Sequence, residues 1–208
     1  MDEFRLPVIT INREYGAGGR TIAKELSNRL GIPWHDQDLV EEVARDSGYS
    51  IEEIKKEGEE LSQAERFWDY LMNGNVTYNS SHDKIFEAQK NEVLKLAENP
   101  CIIVGRCSNI IVRKAKIRSF DVFLYADLTT KADWLKASAD CPKNVDIRHF
   151  IEKRNALRQN YYKHYAKKTL GSYEDYDLLI DTGKIGYEKT VELIATALVD
   201  KFFNVLFF

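Results

Sequence analysis

The sequence predicts an α/β fold with a five-stranded parallel sheet that helices cover on both faces. Short apolar runs rich in β-branched residues alternate along the chain with segments whose apolar residues recur at helical spacing. The runs are almost continuously apolar, which is typical of strands buried on both faces. The chain has 208 residues, of which 44% are hydrophobic, enough for one domain, or one domain with an insertion, around a sizeable core.

The first half of the chain begins with a strand, a glycine-rich turn and a helix. The strand is predicted at residues 6–12, and the turn at residues 15–20. The helix then buries one apolar face, formed by Ile22, Ala23, Leu26 and Leu30. Gly31 ends this helix, a brief second strand follows at residues 31–35, and Asp36 is placed to cap the next helix.

Residues 36–81 differ from their surroundings because they are rich in acidic residues and show no strand period. We expect this segment to be a helical insertion over the sheet edge. Residues 1–35, 82–140 and 174–208 are then the core of a single domain.

The second half continues the alternation of helices and strands. Helices are predicted at residues 82–98, from Thr129, at 145–167 and at 187–203. Buried strands are predicted at residues 101–104, 119–126 and 176–181. The pattern contains no internal repeat.

Composition excludes several functional classes. A net charge of -3 and a pI near 5.9 argue against a protein that coats nucleic acid. The apolar runs are shorter than the roughly 20 residues that span a bilayer, and the first residues do not resemble a secretory leader. We therefore expect a cytoplasmic protein with no nucleic-acid or membrane partner. The three cysteines have no C-x-x-C spacing and are expected to be free thiols.

The glycine-rich turn, which we call the glycine loop (residues 15–20), joins the first strand to the first helix. Such a loop directs backbone N–H groups and the positive end of a helix dipole at one point, which suits a phosphate. It is also compatible with a tight strand-to-helix turn that binds nothing.

Two nucleotide-binding motifs are compatible with the loop. A dinucleotide fingerprint would use Gly16, Gly18 and Asp36, but its third glycine position is Thr21. A mononucleotide P-loop with Gly18 as its second glycine would have Arg13 in place of its first glycine and Gly19 in place of its lysine, followed by Arg20. Arg20 could restore the positive charge.

Three segments together resemble the cytidylate kinase-like branch of the nucleoside monophosphate kinases: ITINREYGAGGRTIA at 9–23, IVGR at 103–106 and YDLLIDT at 176–182. The resemblance spans nearly the whole chain. It implies a three-layer P-loop kinase fold with a five-stranded parallel sheet, a helical insertion at about 36–81 that binds the nucleoside monophosphate, and a helical lid at about 144–170.

The sequence departs from the family at several positions. Cytidylate kinases have G-P-S-G-A-G-K-G-T where residues 13–21 read R-E-Y-G-A-G-G-R-T, and D-G-R-D where residues 104–107 read V-G-R-C. Both aspartates of the second motif are therefore absent, so cytosine specificity does not carry over. In the lid, Asn155 stands where an aspartate is expected, between Arg154 and Arg158.

The resemblance implies a role for each candidate site residue. The donor phosphates of ATP would lie on Tyr15, Gly16, Ala17, Gly18, Gly19, Arg20 and Thr21. The Thr21 hydroxyl would hold Mg²⁺, and Arg20 would contact the β and γ phosphates.

The remaining residues would serve the acceptor and the lid. Arg106 would bind the acceptor phosphate, with Asp36 and Asp38 near the acceptor. Arg154 and Arg158, four residues apart, would clamp the transferring phosphoryl group from one face of the lid helix. Arg20, Arg106, Arg154 and Arg158 are the candidate catalytic residues, and the expected partners are small nucleotides.

The missing lysine and carboxylates also favour a second hypothesis, a nucleotide-binding regulator or pseudokinase. The phosphate acceptor is left open, as is the choice between a monomer and a homo-oligomer.

Overall fold

The computed structural model describes residues 5–36, 80–138, 141–142 and 145–203. Its centre is a five-stranded, all-parallel sheet in the order β2-β3-β1-β4-β5. The strands are β1 Val8–Arg13, β2 Trp34–Asp36, β3 Ile102–Val104, β4 Ser119–Tyr125 and β5 Leu178–Asp181. The α/β class and the parallel sheet are confirmed.

Helices separate the strands along the chain. They are α1 Gly19–Leu30, α2 Ser80–Leu96, α3 Ser108–Lys114, α4 Leu128–Ala137, α5 Ile147–Ala166, α6 Thr182–Ile185 and α7 Tyr187–Phe203, with a 3₁₀ turn at Tyr173–Asp175.

The alternation of side chains along β1 explains the layers. Ile9 and Ile11 point into the main core with α1 and α7, whose buried residues belong to the same cluster. Asn12 points to the other face, where its amide donates to Asn109 of α3 at 2.9 Å. Helices therefore cover both faces of the sheet.

The central position of β1 defines the place where the chain changes direction across the sheet. The chain leaves β1 toward β2 on one side and later returns to β4 on the other. Ligands of open α/β sheets bind at the carboxyl ends of the strands at such a switch point. Arg13, the last residue of β1, and Gly105, which follows β3, both lie at that edge.

Three short elements were not predicted: α3, α6 and the 3₁₀ turn. They have 7, 4 and 3 residues, too few to show a helical period in the sequence. The helix predicted from Thr129 begins earlier, at Leu128. The correct cap is Asp127, whose carboxylate accepts from the Thr130 backbone N–H at 3.0 Å.

Two compact units divide the chain: residues 1–36 with 92–208, and residues 37–91. The predicted insertion at 36–81, and the helix that Asp36 was predicted to cap, lie almost wholly outside the described residues. Within the described ranges, no helix is both long enough and apolar enough to cross a membrane.

Candidate active site

The glycine loop has the backbone of an anion-binding turn. Gly16 and Gly18 have φ values of 84° and 79°, in the left-handed region that glycine tolerates. Helix α1 begins at Gly19, and no side chain caps its amino end. The N–H groups of the first helical turn have no partners within the helix, so they can receive a ligand.

Two of the loop glycines, Gly16 and Gly18, are packed by residues from distant parts of the chain. A Cβ on Gly18 would lie 2.1 Å from the Tyr187 ring, and a Cβ on Gly16 would lie 3.1 Å from Lys131 Cβ. The Tyr187 ring also contacts Trp134, with 4.5 Å between ring centroids. Larger residues at these glycines would push the loop from its place.

Thr182 holds the glycine loop against the sheet through its side-chain hydroxyl. Its hydroxyl is buried and lies 3.1 Å from the carbonyl oxygens of both Ala17 and Tyr125. The loop is thereby attached to the carboxyl ends of β4 and β5. Because Thr182 directly follows β5, the closing strand of the sheet helps to hold the loop.

A cluster of two arginines and one carboxylate adjoins the loop. The carboxylate of Asp36, at the end of β2, pairs with Nη2 of Arg13 at 3.1 Å and with Nε of Arg20. The Asp36 side chain is 3% exposed, so its charge is compensated by these cations rather than by water. Arg20 therefore points toward Asp36.

Helix α5 contacts the glycine loop and the end of β1 through three polar or charged side chains, Arg154, Asn155 and Arg158. The Tyr15 N–H donates to Asn155 Oδ1 at 2.6 Å, and Arg158 Nη1 donates to the carbonyl of Arg13 at 3.2 Å. The guanidinium carbons of Arg154 and Arg158 lie 5.7 and 5.2 Å from the centroid of the Tyr15 ring. These distances are within the range of cation–π attraction.

Apolar packing keeps α5 at this position. Ala132 and Leu135 of α4 form a small buried cluster with Ile151 of α5, and Tyr15 and Phe150 pack against it. The Tyr15 ring thus joins the loop to the helix that carries the arginines.

A buried polar network fixes the other half of α5. The Asn109 amide donates to the Tyr162 hydroxyl at 2.9 Å and to the carbonyl of Asp175 at 3.2 Å. Burial raises the pKa of Tyr162 to about 12, so the hydroxyl stays protonated at neutral pH. Tyr162 is therefore a packing residue.

Arg106 lies in a strained turn after β3. Gly105, Arg106 and Cys107 all have positive φ values, of 84°, 58° and 53°. For a residue with a side chain this conformation costs roughly 1–2 kcal/mol. Arg106 is 4% exposed at its side chain, and its Nη1 lies 3.2 Å from Glu92 Oε2.

The charges of Arg106 and Glu92 both act on the imidazole of His35. Burial, and then the positive charge of Arg106, lower the pKa of His35, while the charge of Glu92 opposes the shift. His35 is therefore held in its neutral form.

A second cation beside the loop comes from α4. Lys131 is buried, and its Nζ lies 2.5 Å from Oε2 of Glu14, which directly precedes the glycine loop. Sequence reasoning did not select Lys131, Tyr187 or Thr182, because each reaches the loop only through the folding of distant segments.

The two buried thiols, Cys101 and Cys107, do not belong to the chemistry of the site. Burial raises the pKa of Cys101 to about 11 and that of Cys107 to about 12, so neither is a thiolate at neutral pH. Across the described ranges, no group of three or more His, Cys, Asp or Glu residues could hold a metal ion.

The structure brings some of the candidate residues to the loop and places others apart. Arg154 and Arg158 lie against Tyr15, whereas Arg20 is paired with Asp36 and Arg106 with Glu92. Exposed Thr21 lies in the first turn of α1. Asp38 lies outside the described residues.

The loop fits a nucleotide polyphosphate. Its left-handed glycines and uncapped helix end form a cradle of N–H groups, with arginine and lysine side chains beside it. A Mg²⁺ ion bound mainly by phosphate oxygens needs only one or two protein ligands. Thr21 has a hydroxyl at the right point of the chain for one of them.

Comparison with known proteins then identifies the family. The model of the cytidylate kinase-like family matches residues 8–184. The chain belongs to this family. Membership places the chain among the nucleotide kinases, which are phosphotransferases, and sets aside the dinucleotide alternative.

Relatives of similar length support this assignment. A cytidylate kinase of Archaeoglobus fulgidus is 24% identical over 190 residues, which cover 91% of this chain and 93% of the relative. A cytidylate kinase of Methanosphaera stadtmanae is also 24% identical, over 93% of this chain and 99% of the relative.

Solved structures share the fold. An uncharacterized protein from Eubacterium ventriosum has a TM-score of 0.65 and 23% identity, covering 92% of this chain and 98% of its own. Shikimate kinase from Acinetobacter baumannii has a TM-score of 0.54 and 18% identity, covering 99% of this chain and 97% of its own. The prediction of a P-loop kinase fold is confirmed.

Proposed function

We propose that this protein transfers the terminal phosphoryl group of ATP to a nucleoside monophosphate of the CMP type, or to a related small phosphorylated acceptor. The observation that carries the proposal is the contact between α5 and the glycine loop. Two arginines and Asn155 of one helix reach Tyr15 and the end of β1. Phosphoryl transfer depends mainly on such positioned cations and N–H groups.

Each residue then has a separate task. The N–H groups of Gly16 to Thr21 bind the donor phosphates, and Asn155 fixes the loop by accepting from the Tyr15 N–H. Arg154 and Arg158 supply positive charge from the lid. Mg²⁺, held in part by Thr21, supplies charge neutralisation at the phosphates when the nucleotide is bound.

Arg106 binds the phosphate of the acceptor. Its strained backbone and buried side chain fix a guanidinium after β3, where the family motif has its phosphate-contacting arginine. The pair with Glu92 positions that guanidinium before a substrate arrives. Asp36 serves the site by holding Arg13 and Arg20, and Asp38 stays a candidate for acceptor binding. We further propose that the insertion at 36–81 takes part in binding the nucleoside monophosphate and that the segment at about 144–170 is the lid.

The pairing of arginines with carboxylates favours a second candidate function, nucleotide binding without transfer. Arg20 is occupied by Asp36 and Arg106 by Glu92, while Gly19 supplies no cation. A regulator of this type binds ATP but forms no diphosphate product.

A coupled assay with ATP and Mg²⁺ across CMP, dCMP, UMP, AMP and GMP tests both candidates. We expect turnover with at least one pyrimidine monophosphate and a loss of about 100-fold in kcat for Arg158→Ala. Lys163→Ala, an exposed cation on the same helix, is the control and should keep wild-type turnover. Binding of ATP with no product from any acceptor would favour the regulator.

A further inference from the structure

The side chain of Arg13 occupies the space where a side chain of residue 19 would begin. A Cβ built on Gly19 would lie 2.9 Å from Cγ, 3.2 Å from Cδ and 3.4 Å from Nε of Arg13. The first two distances are shorter than ordinary van der Waals contacts, so a side chain at 19 would force the side chain of Arg13 to shift.

The guanidinium of Arg13 is held on two further sides. A Cβ on Gly105 would lie 2.3 Å from its Nη1, and its Nη2 pairs with Asp36 at 3.1 Å. The side chain is only 12% exposed. Arg13 therefore lies in a fitted slot formed by two glycines and a buried carboxylate at the carboxyl ends of β1, β2 and β3.

The packing of Arg13 against Gly19 accounts together for two departures from the P-loop pattern, one at position 13 and one at position 19. The usual motif has glycine at its first position and the phosphate-binding lysine directly after its second glycine. Here the first position is Arg13 and the lysine position is Gly19. The positively charged side chain is thus at the end of β1 instead of at the start of α1. Arg13 supplies this side chain, and glycine at 19 leaves the space that it occupies.

We propose that Arg13 is the phosphate-binding cation of this loop and that it replaces the missing lysine at position 19. This inference rests on the proposed function, since it assigns a residue to the same polyphosphate site. Arg20, the candidate chosen from the sequence, is 49% exposed at its side chain, whereas Arg13 is 12% exposed. Arg13 is the arginine packed against Gly19 of the glycine loop and against Gly105.

The steric part of the proposal is tested by thermal unfolding. Gly19→Ala in the wild-type protein should lower Tm by about 5 °C, because the new methyl group meets Arg13. In an Arg13→Ala background the same change should be neutral or stabilising, since alanine is the better helix former. Equal losses in both backgrounds would overturn the steric conflict between Arg13 and a side chain at 19.

The binding part is tested with inorganic tripolyphosphate by calorimetry, which requires neither a nucleoside nor catalysis. Arg13→Ala should weaken binding at least tenfold, and so should Arg13→Gly. The double variant Arg13→Gly with Gly19→Lys, which restores the usual motif, should recover affinity to within a few-fold of wild type. Arg29→Ala, at the far end of α1, is the control for removal of an arginine and should bind normally.

The outcomes separate this inference from the proposed function. Unchanged tripolyphosphate binding in Arg13→Ala, or a double variant no better than Arg13→Gly, overturns the assignment of Arg13. A wild-type protein that does not bind tripolyphosphate overturns it as well. If wild type transfers no phosphoryl group but the tripolyphosphate results are as expected, the kinase proposal fails and the role of Arg13 stands.

Discussion

Two buried aspartates lie toward opposite ends of the sheet and are satisfied in different ways. Asp121, in the amino half of β4, accepts from Thr10 Oγ1 at 2.6 Å and from Ser119 Oγ at 3.2 Å, and it pairs with Arg113. Asp36, at the carboxyl end of β2, is held by Arg13 and Arg20. Their side chains are 1% and 3% exposed.

The difference lies in what surrounds each carboxylate. Two hydroxyl groups of the sheet itself and one arginine, Arg113, satisfy Asp121, and burial is the largest of the influences that together raise its pKa. Around Asp36 the partners are arginines, and the neighbouring backbone has glycines that leave room for them. We infer that the amino half of the sheet is built for stability and the carboxyl edge for binding a charged ligand.

The largest effect that tests this comparison is a loss of stability at Asp121. Asp121→Asn removes the charge that compensates Arg113, and it should lower the free energy of unfolding by about 3 kcal/mol. Urea denaturation measures the change. The folded fraction should keep wild-type kcat, and a variant as stable as wild type would contradict the assigned structural role.

A smaller loss is expected at the glycine loop, and the chain offers a matched control. Gly18 and Gly31 are the cap residues that flank α1, both in the left-handed conformation, with φ values of 79° and 67°. A Cβ on Gly18 meets the Tyr187 ring at 2.1 Å, whereas one on Gly31 has nothing within 4 Å.

Both alanine substitutions carry the backbone penalty of roughly 1–2 kcal/mol. Gly18→Ala should be less stable than Gly31→Ala by about 2 kcal/mol, because only Gly18 is overpacked. Thermal or urea unfolding of the two variants measures the difference. Equal losses would show that Tyr187 moves aside freely.

A tenfold effect on turnover is expected at Asp36. Asp36→Asn removes the charge that orients Arg13 and Arg20, and we expect kcat to fall at least tenfold, about 1.4 kcal/mol. The coupled assay measures it, with Asp121→Asn as the matched buried control. If both variants keep the same turnover, the two ends of the sheet do not differ in function.

The smallest effect concerns pH. The folded-state pKa of His35 is lowered, so the unfolded chain binds more protons as the pH falls below about 6.5. Stability contributed by the neutral imidazole is present above that pH and is lost as the pH decreases through the folded pKa. His35→Gln should flatten the dependence of unfolding free energy on pH between 7.5 and 5.5. An unchanged slope would show that another group controls it.

The sequence was sufficient for features encoded by neighbouring residues. The glycine loop and its helix follow from one stretch of the chain, and the spacing of Arg154 and Arg158 places them on one helical face. The boundaries of these elements agree with the predictions to within a few residues. The short helices α3 and α6 were missed because a helix of one or two turns is too short to show a periodic pattern of apolar residues.

Contacts between distant segments could not be predicted in this way. Thr10 and Asp121 are 111 positions apart, and Tyr187, which packs against Gly18, lies near the other end of the chain. Positions 13 and 19 were noted as separate departures from a motif. Only their packing shows that the two are connected, because sequence spacing does not say which side chain fills which space.

The central position of β1 in the sheet also affects the rate at which the chain folds. Its sheet partners begin at Ile102 and Ser119, so closing either pairing brings together residues far apart in the chain, which slows folding. At a synthesis rate of about 5–20 residues per second, β4 is synthesised on the order of 10 s after the apolar β1. The strand that later supports the glycine loop is therefore a segment that a chaperone would protect in the nascent chain.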